Sequence, residues 1–329
     1  MSISGCRVSW LIPVRGGRPW LPGAVRSALA ECQDDDEVIV IDDGSPTPWT
    51  PAELPTDPRL RLVHQPPRGI VDALEHGRRL ATGRLLSRLD ADDEAVPGRI
   101  EAQCAALAAD PTLVVVGGKA EPIGAFGDGM ARYVDWINGL NDHRSRILVE
   151  SPLFHPAVLM RADAVAAVGG YREGDLPEDY DLWLRLVGAG GGIGAVDQTV
   201  VRLRDRADRL TRTDPRYRRS AFTVLKLAWA QKHLLQPGLR VGVWGAGRSG
   251  RPWRRLVAQG PCTLSTVVDV KPGGQRQGLA VRPWQDLENI DLDLLLVAVG
   301  VASARSEIRA ALATVRPEWT EGVQWWAVC

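Results

Sequence analysis

The chain has 329 residues, and its 40 Lys and Arg are matched by 40 Asp and Glu, giving a formal net charge of zero. Hydrophobic residues make up 45% and charged residues 24%, which suits a globular protein of two domains better than one. The basic excess of a dedicated nucleic-acid binder is absent.

The five cysteines, Cys6, Cys32, Cys104, Cys262 and Cys329, are scattered, odd in number and contain no C-x-x-C pair. Neither a disulfide framework nor a thiolate zinc site is expected, and a reducing, cytoplasmic setting is the default. Residues 1–7 lack the long apolar stretch of a signal peptide. No run approaches the roughly 20 apolar residues that span a bilayer, so any membrane contact is expected to be peripheral, at the inner face.

A first strand is expected over residues 8–14, then a turn-rich stretch at 15–19 and a helix over 21–31. The next apolar run, 37–41, is β-branched and ends abruptly in Asp42-Asp43-Gly44-Ser45-Pro46. A short strand at 60–64, a helix at 70–81 and a strand at 85–89 follow, the last running into Asp90-Ala91-Asp92-Asp93. This alternation implies an α/β fold with a mostly parallel sheet and flanking helices. Ligands of such sheets sit outside the carboxyl ends of the strands, where both acidic clusters fall. A third cluster, Leu176-Pro177-Glu178-Asp179-Tyr180-Asp181, opens a helix: Pro177 fits its first turn, and Glu178 and Asp179 then lie at its positive end.

From 202 to 219 the chain is polar and Arg-rich, with no clear period. A helix over 221–235 leads to Gln236-Pro237-Gly238, read as a linker, so domains of residues 1–235 and 239–329 are expected. The second domain opens with an apolar strand into Gly245-Ala246-Gly247-Arg248-Ser249-Gly250. With further strands at 264–268 and 293–299, it reads as a smaller Rossmann-like α/β domain.

Each acidic cluster admits two readings. Closely spaced carboxylates repel unless something positive sits among them, and Asp90, Asp92 and Asp93 suit a hard divalent cation with positions left open for phosphate oxygens. The same residues also suit a solvated turn with a helix N-cap. Asp42 and Asp43 can accept hydrogen bonds from a nucleobase or ribose, or simply shape an Asx-turn. A helix dipole keeps a carboxylate ionised, as a general base requires, but acidic residues open many helices with no such role. Leu182, Trp183 and Leu186 are expected in the core.

Six stretches taken together resemble glycosyltransferase family 2, inverting enzymes of the GT-A fold. They are VSWLIPV from Val8, EVIVIDDGS from Glu37, SRLDADDEAVPGRI from Ser87, HPAVLMR from His155, VGGYR from Val168, and EDYDLWLRL from Glu178. The similarity covers roughly residues 5 to 220. It implies a transfer of sugar from a nucleoside-diphosphate donor to an acceptor hydroxyl, assisted by Mn²⁺ or Mg²⁺, in cell-surface glycan or polysaccharide synthesis. By position, Pro13 lies beside the nucleotide, Asp43 reads the base with Asp42 next to it, and Asp90 and Asp92 form the D-x-D. Asp92 and Asp93 are the implied metal ligands and Asp179 is the implied base; His155 lies in the segment that approaches the acceptor side, and both His155 and Glu178 count with Pro13, Asp42, Asp43 and Asp90 among the implied cofactor-binding residues. The acceptor is a glycan or a lipid-linked glycan.

Departures accompany the resemblance. The chain has Arg15-Gly16 where the family carries an aromatic residue and Asn, and Glu75 where Asn is common. The absence of Q-x-x-R-W and of membrane helices points to single additions and away from processive synthesis. In the carboxy-terminal part, Gly245, Gly247 and Gly250 have G-x-G-x-x-G spacing and Asp269 follows about 20 residues on. That pattern suits either a nucleotide-like ligand at a helix N-terminus or tight strand–helix packing. An oxidoreductase using this part, or a non-catalytic sugar-nucleotide scaffold, are the rival functions.

Overall fold

The computed structural model describes residues 6–329. Two compact units divide the described chain: the first comprises residues 6–143 and 152–218, the second Arg144–Ser151 and Arg219–Cys329.

The first unit is built on an eight-stranded sheet. In chain order its elements are β1 (Val8–Val14), α1 (Leu21–Glu31), β2 (Glu37–Asp43), β3 (Leu60–Gln65), α2 (Ile70–Leu80), β4 (Leu85–Arg88), β5 (Glu94–Ala95) and α3 (Arg99–Ala109). Then come β6 (Leu113–Ile123), α4 (Asp128–Asn138), β7 (Leu159–Arg161), α5 (Ala162–Ala167), α6 (Glu178–Gly188), β8 (Gly192–Arg204) and α7 (Leu210–Thr213). The sheet order is β3-β2-β1-β4-β7-β6-β8-β5. β3, β2, β1 and β4 run parallel, β7 is antiparallel to β4 and β6, and β6 is parallel to β8.

β1 and β2 are buried along their whole length, as expected of central strands covered on both faces. Their alternation divides the core in two. Trp10, Ile12, Val38 and Val40 pack with Leu21, Val25 and Ala28 of α1. Leu11, Ile39 and Ile41 face the other way and meet Ala73 of α2. Each such side chain contributes about 1.5–3 kcal/mol through burial. Gly77 lets α2 lie close to that second face, since a Cβ there would come 2.7 Å from Ile41 Cδ1.

The parallel arrangement brings the carboxyl ends of β1, β2 and β4 to one edge. Pro13 of β1 stands opposite Ile41, and Arg88 of β4 opposite Leu11. Pro177 is the N-cap of α6 and the helix proper starts at Glu178, one residue later than the spacing suggests, because Pro177 keeps an extended ψ of 113°.

The second unit contains α8 (Arg219–His233), β9 (Arg240–Trp244), α9 (Gly250–Gln259), β10 (Thr263–Asp269), β11 (Gln275–Arg276), β12 (Leu279–Pro283), β13 (Leu294–Val297), α10 (Ala302–Val315) and β14 (Trp325–Ala327). Its sheet order is β11-β12-β10-β9-β13-β14. All pairs are parallel except β11 with β12. α8 belongs to this unit, so the division falls at residues 218/219, before the expected linker at 236–238. The segment Arg144–Ser151 joins it through Arg146, ion-paired with Glu321, and through Val149, whose carbonyl accepts from Lys226 Nζ at 2.7 Å. Among the described residues, no helix is long and apolar enough to cross a membrane.

Candidate active site

The turn after β2 is shaped by its own carboxylates. Asp42 is 1% exposed and accepts from Ser45 N at 2.9 Å and Trp49 N at 3.0 Å, with His64 Nδ1 at 3.2 Å. Asp43 accepts from Gln65 Nε2, Arg68 N and Gly69 N, each at 2.8 Å. The two residues therefore tie the 44–49 turn and the start of α2 to the end of β2. In the departing Arg15-Gly16 turn, Gly16 N donates to Ser45 Oγ at 2.8 Å and its carbonyl accepts Trp49 Nε1 at 2.8 Å. The Arg18 guanidinium lies 4.8 Å over the Trp49 ring. Glu75 binds Arg78 and accepts the Tyr171 N–H at 2.7 Å, which ties α2 to the 169–171 turn.

The turn after β4 gathers Asp90, Asp92 and Asp93, with one carboxylate oxygen of each within 4.8 Å of the others. Asp93 is 1% exposed; its Oδ1 accepts Arg204 N at 2.8 Å, and its Oδ2 is buried without a hydrogen-bond partner among the described residues. Burial first, then the charge of Asp90, raises the ionisation of both Asp92 and Asp93 above the ordinary carboxylate range. An orphaned oxygen beside two further carboxylates fits a hard divalent cation, which would supply the missing contact. Arginines close the cluster from the far side: Arg206 Nη1 stands 3.4 Å from Asp92 Oδ2 and its guanidinium 3.9 Å over Trp20. Arg204 Nε donates to the Asp92 carbonyl at 3.2 Å.

Glu178 and Asp179 open α6. Glu178 is 3% exposed and accepts the Tyr217 hydroxyl at 2.6 Å. Asp179 is partly exposed and accepts Tyr180 N at 2.7 Å. Desolvation, then the neighbouring Glu178 charge, pushes Asp179 up to about 7. His155 is held by the Tyr171 hydroxyl at 2.8 Å from Nε2, stands 3.9 Å from Glu178 Oε1 through Nδ1, and packs edge-on against Trp183 at 5.9 Å. Burial, aided by the charge of Arg88, keeps its imidazole neutral.

Sequence reasoning missed Arg88, Arg99, Tyr171 and Tyr217. Arg99 is fully buried and donates to the carbonyls of Pro156, Arg88 and Val158, fastening the His155 segment to β4. Arg88 is 3% exposed and ion-paired with Asp90. A lone cation on a strand otherwise made of Leu85, Leu86 and Ser87 was the available signal.

In the second unit, packing accounts for two of the three glycines after β9. Gly245 has φ +133°, with Ala298 O 2.8 Å from any Cβ, and a Cβ on Gly250 would collide with the Gly245 carbonyl. Gly247 has nothing within 4 Å of such an atom. Asp269 accepts Ala246 N at 2.7 Å, and Arg254 donates to the Gly245 and Gly247 carbonyls.

Comparison with known proteins agrees with this architecture. Residues 9–165 match the family described as Glycosyl transferase family 2. An uncharacterized glycosyltransferase of Haemophilus influenzae is 31% identical over 168 residues, 50% of this chain and 62% of the relative. The amylovoran biosynthesis glycosyltransferase AmsE of Erwinia amylovora is 27% identical over 140 residues, 43% of this chain and 52% of the relative. The chain thus spans a little over half the length of these relatives. Among solved structures, S. aureus TarS 1-349 in complex with UDP-GlcNAc superposes with a TM-score of 0.52 at 14% identity, covering 70% of this chain and 68% of that one. Residues 9–165 are thus similar to glycosyltransferase family 2, and the fold is GT-A-like.

Proposed function

We propose that the protein is an inverting glycosyltransferase that moves a sugar from a nucleoside-diphosphate donor onto an acceptor hydroxyl, in the synthesis of a cell-surface glycan or polysaccharide. The observation that carries this reading is the carboxylate cluster with an orphaned oxygen in the turn after β4, and the reading is supported by Asp179 at the start of α6, which desolvation and the Glu178 charge push up to about 7. The family domain over residues 9–165 and the relatives' names support it.

In this reading Asp43, with Asp42 and Pro13 beside it, orients the donor's base and ribose at the ends of β1 and β2. Asp92 and Asp93, with Asp90 alongside, would hold Mn²⁺ or Mg²⁺, which would supply Lewis-acid stabilisation of the charge on the departing diphosphate. Asp179 takes the proton from the acceptor hydroxyl as that oxygen bonds to the anomeric carbon, opposite the breaking bond to diphosphate. One displacement inverts the centre, and the proton ends on the Asp179 carboxylate. His155 and Glu178, held by Tyr171 and Tyr217, form the wall beside the base. All five cysteines are unbridged, which suits work in the cytoplasm, with a lipid-linked acceptor met at the membrane surface.

Calorimetric titration of UDP, GDP and TDP, with and without Mn²⁺, tests the reading in wild type and Asp92→Ala. One diphosphate should bind only with metal and lose that binding in the variant. Absence of binding by all three in folded protein would sink it.

A further inference from the structure

β6 and β8 lie parallel, and between their amino-terminal halves, α3 and the turn that follows α4 there is an open cavity of about 440 Å³, a volume typical of small-molecule sites. All of its lining residues belong to the first unit. Asn138 builds one wall: its side chain donates to the Ala120 carbonyl at 2.8 Å and accepts Ala120 N at 2.9 Å, which pins the end of α4 to β6. The cavity is distinct from the acidic turn. Its lining on β8 ends at Asp197, while the strand runs on to Arg204, whose N–H meets Asp93. At about 3.3 Å per residue, roughly 20 Å of strand separates the two.

His143 lines this cavity, is 6% exposed and makes no hydrogen bond among the described residues. Burial lowers its imidazole to about 4, so the ring is neutral at ordinary pH and offers one N–H and one acceptor nitrogen. Buried polar groups are ordinarily paired, and a hydroxyl, which both donates and accepts, complements such a ring.

The rest of the lining narrows the ligand. Leu113, Val116, Ile137, Ile193 and Val196 are aliphatic and suit the C–H face of a ring. Lys119, Asn141, Asp142 and Asp197 supply donors and acceptors around them. Lys119 is ion-paired with Asp197, so the lining carries no excess positive charge for a phosphate or a nucleotide. The polar side chains are equally ill suited to an acyl chain, which could not satisfy them.

We propose that this cavity binds a neutral saccharide unit through His143, at a site separate from the one where transfer occurs. The proposal goes beyond the transferase reading and takes from it only the source of the saccharide, the glycan under construction.

The test uses the full chain in EDTA, without donor, with its histidines labelled with nitrogen-15. The sequence has five histidines, and the imidazole signal missing from His143→Gln identifies His143. Methyl glycosides of glucose, galactose, mannose and N-acetylglucosamine, with lactose and cellobiose, are titrated to about 10 mM. At least one should shift the His143 signal, with a Kd on the order of 1 mM. Saturation transfer to that sugar should show its affinity falling at least tenfold in His143→Gln and in Ala106→Phe, which fills the cavity from α3, and unchanged in Asp179→Asn. Inorganic phosphate at the same concentration and pH should leave the signal in place. No shift with any of the sugars, a shift with phosphate, or affinity kept in the two cavity variants and lost in Asp179→Asn overturns the proposal. If Ala106→Phe does not fold, affinity retained in His143→Gln does so alone. Sugar binding in a protein that binds none of the three diphosphates sinks the transferase reading only; diphosphate binding without sugar binding sinks this proposal only.

Discussion

Asp179 shows how one side chain links chemistry to stability. Its folded ionisation lies at about 7, raised first by desolvation and then by Glu178, against an ordinary value near 3.9. A carboxylate raised on folding contributes its full stability below the unfolded value and loses it as pH rises through the folded one. The charge that serves the reaction therefore destabilises the fold. Asp179→Asn should lower turnover by about 10²- to 10⁴-fold while leaving donor-diphosphate affinity intact. The same variant should gain on the order of 4 kcal/mol over wild type at pH 8 and only about 0.5 kcal/mol at pH 4, as read by urea denaturation of metal-free protein. Equal stabilities at both pH values would show that Asp179 is better solvated than its surroundings imply.

Elements are held in register by a few buried polar or absent side chains. Arg99, at the start of α3, donates to three carbonyls across β4 and the 155–158 segment and lies 4.9 Å over Trp10. Arg99→Met keeps much of the volume but leaves those carbonyls unpaired, which should cost about 3 kcal/mol or more. Denaturant unfolding measures this, and a cost under 1 kcal/mol would mean that water replaces the guanidinium. On β6, Gly118 faces Val200 of β8, where a Cβ would stand 2.5 Å from Val200 Cγ1. Gly118→Ala should overpack that strand pair by about 1–3 kcal/mol, again measured by denaturant unfolding. An unchanged midpoint would show that the two long strands separate freely.

At the scale of the whole molecule, two forecasts separate metal linkage from chain connectivity. Mn²⁺ at a hundred times its dissociation constant should stabilise the wild type by about 2.7 kcal/mol, seen as a rise in thermal midpoint that EDTA reverses. Asp92→Asn combined with Asp93→Asn should abolish the response. A metal-independent midpoint in wild type would remove the cation from the proposed chemistry. Separately, the segment Arg144–Ser151 packs with the second unit through Glu321 and Lys226, although it interrupts the first unit in sequence. A chain ending at Arg218 should be cleaved by trypsin at Arg144 and Arg146 under conditions where the full chain resists.

Much of the amino-terminal framework was legible because its cues are local. Strands such as Val8–Val14 and Glu37–Asp43 are built around short apolar runs, and the acidic clusters at strand ends follow from the alternation of strand and helix. The sequence by itself thus determined the element order, the family resemblance and the candidates Asp43, Asp92 and Asp179. What it left open was which charges meet. Whether Arg99 reaches the 155–158 segment, and whether Glu75 holds the 169–171 turn, depends on elements far apart in sequence lying side by side. The same holds for the unit to which residues 144–151 belong. Those outcomes are set by desolvation and by distances between elements, which have no periodicity in the chain and exist only once the sheet has formed.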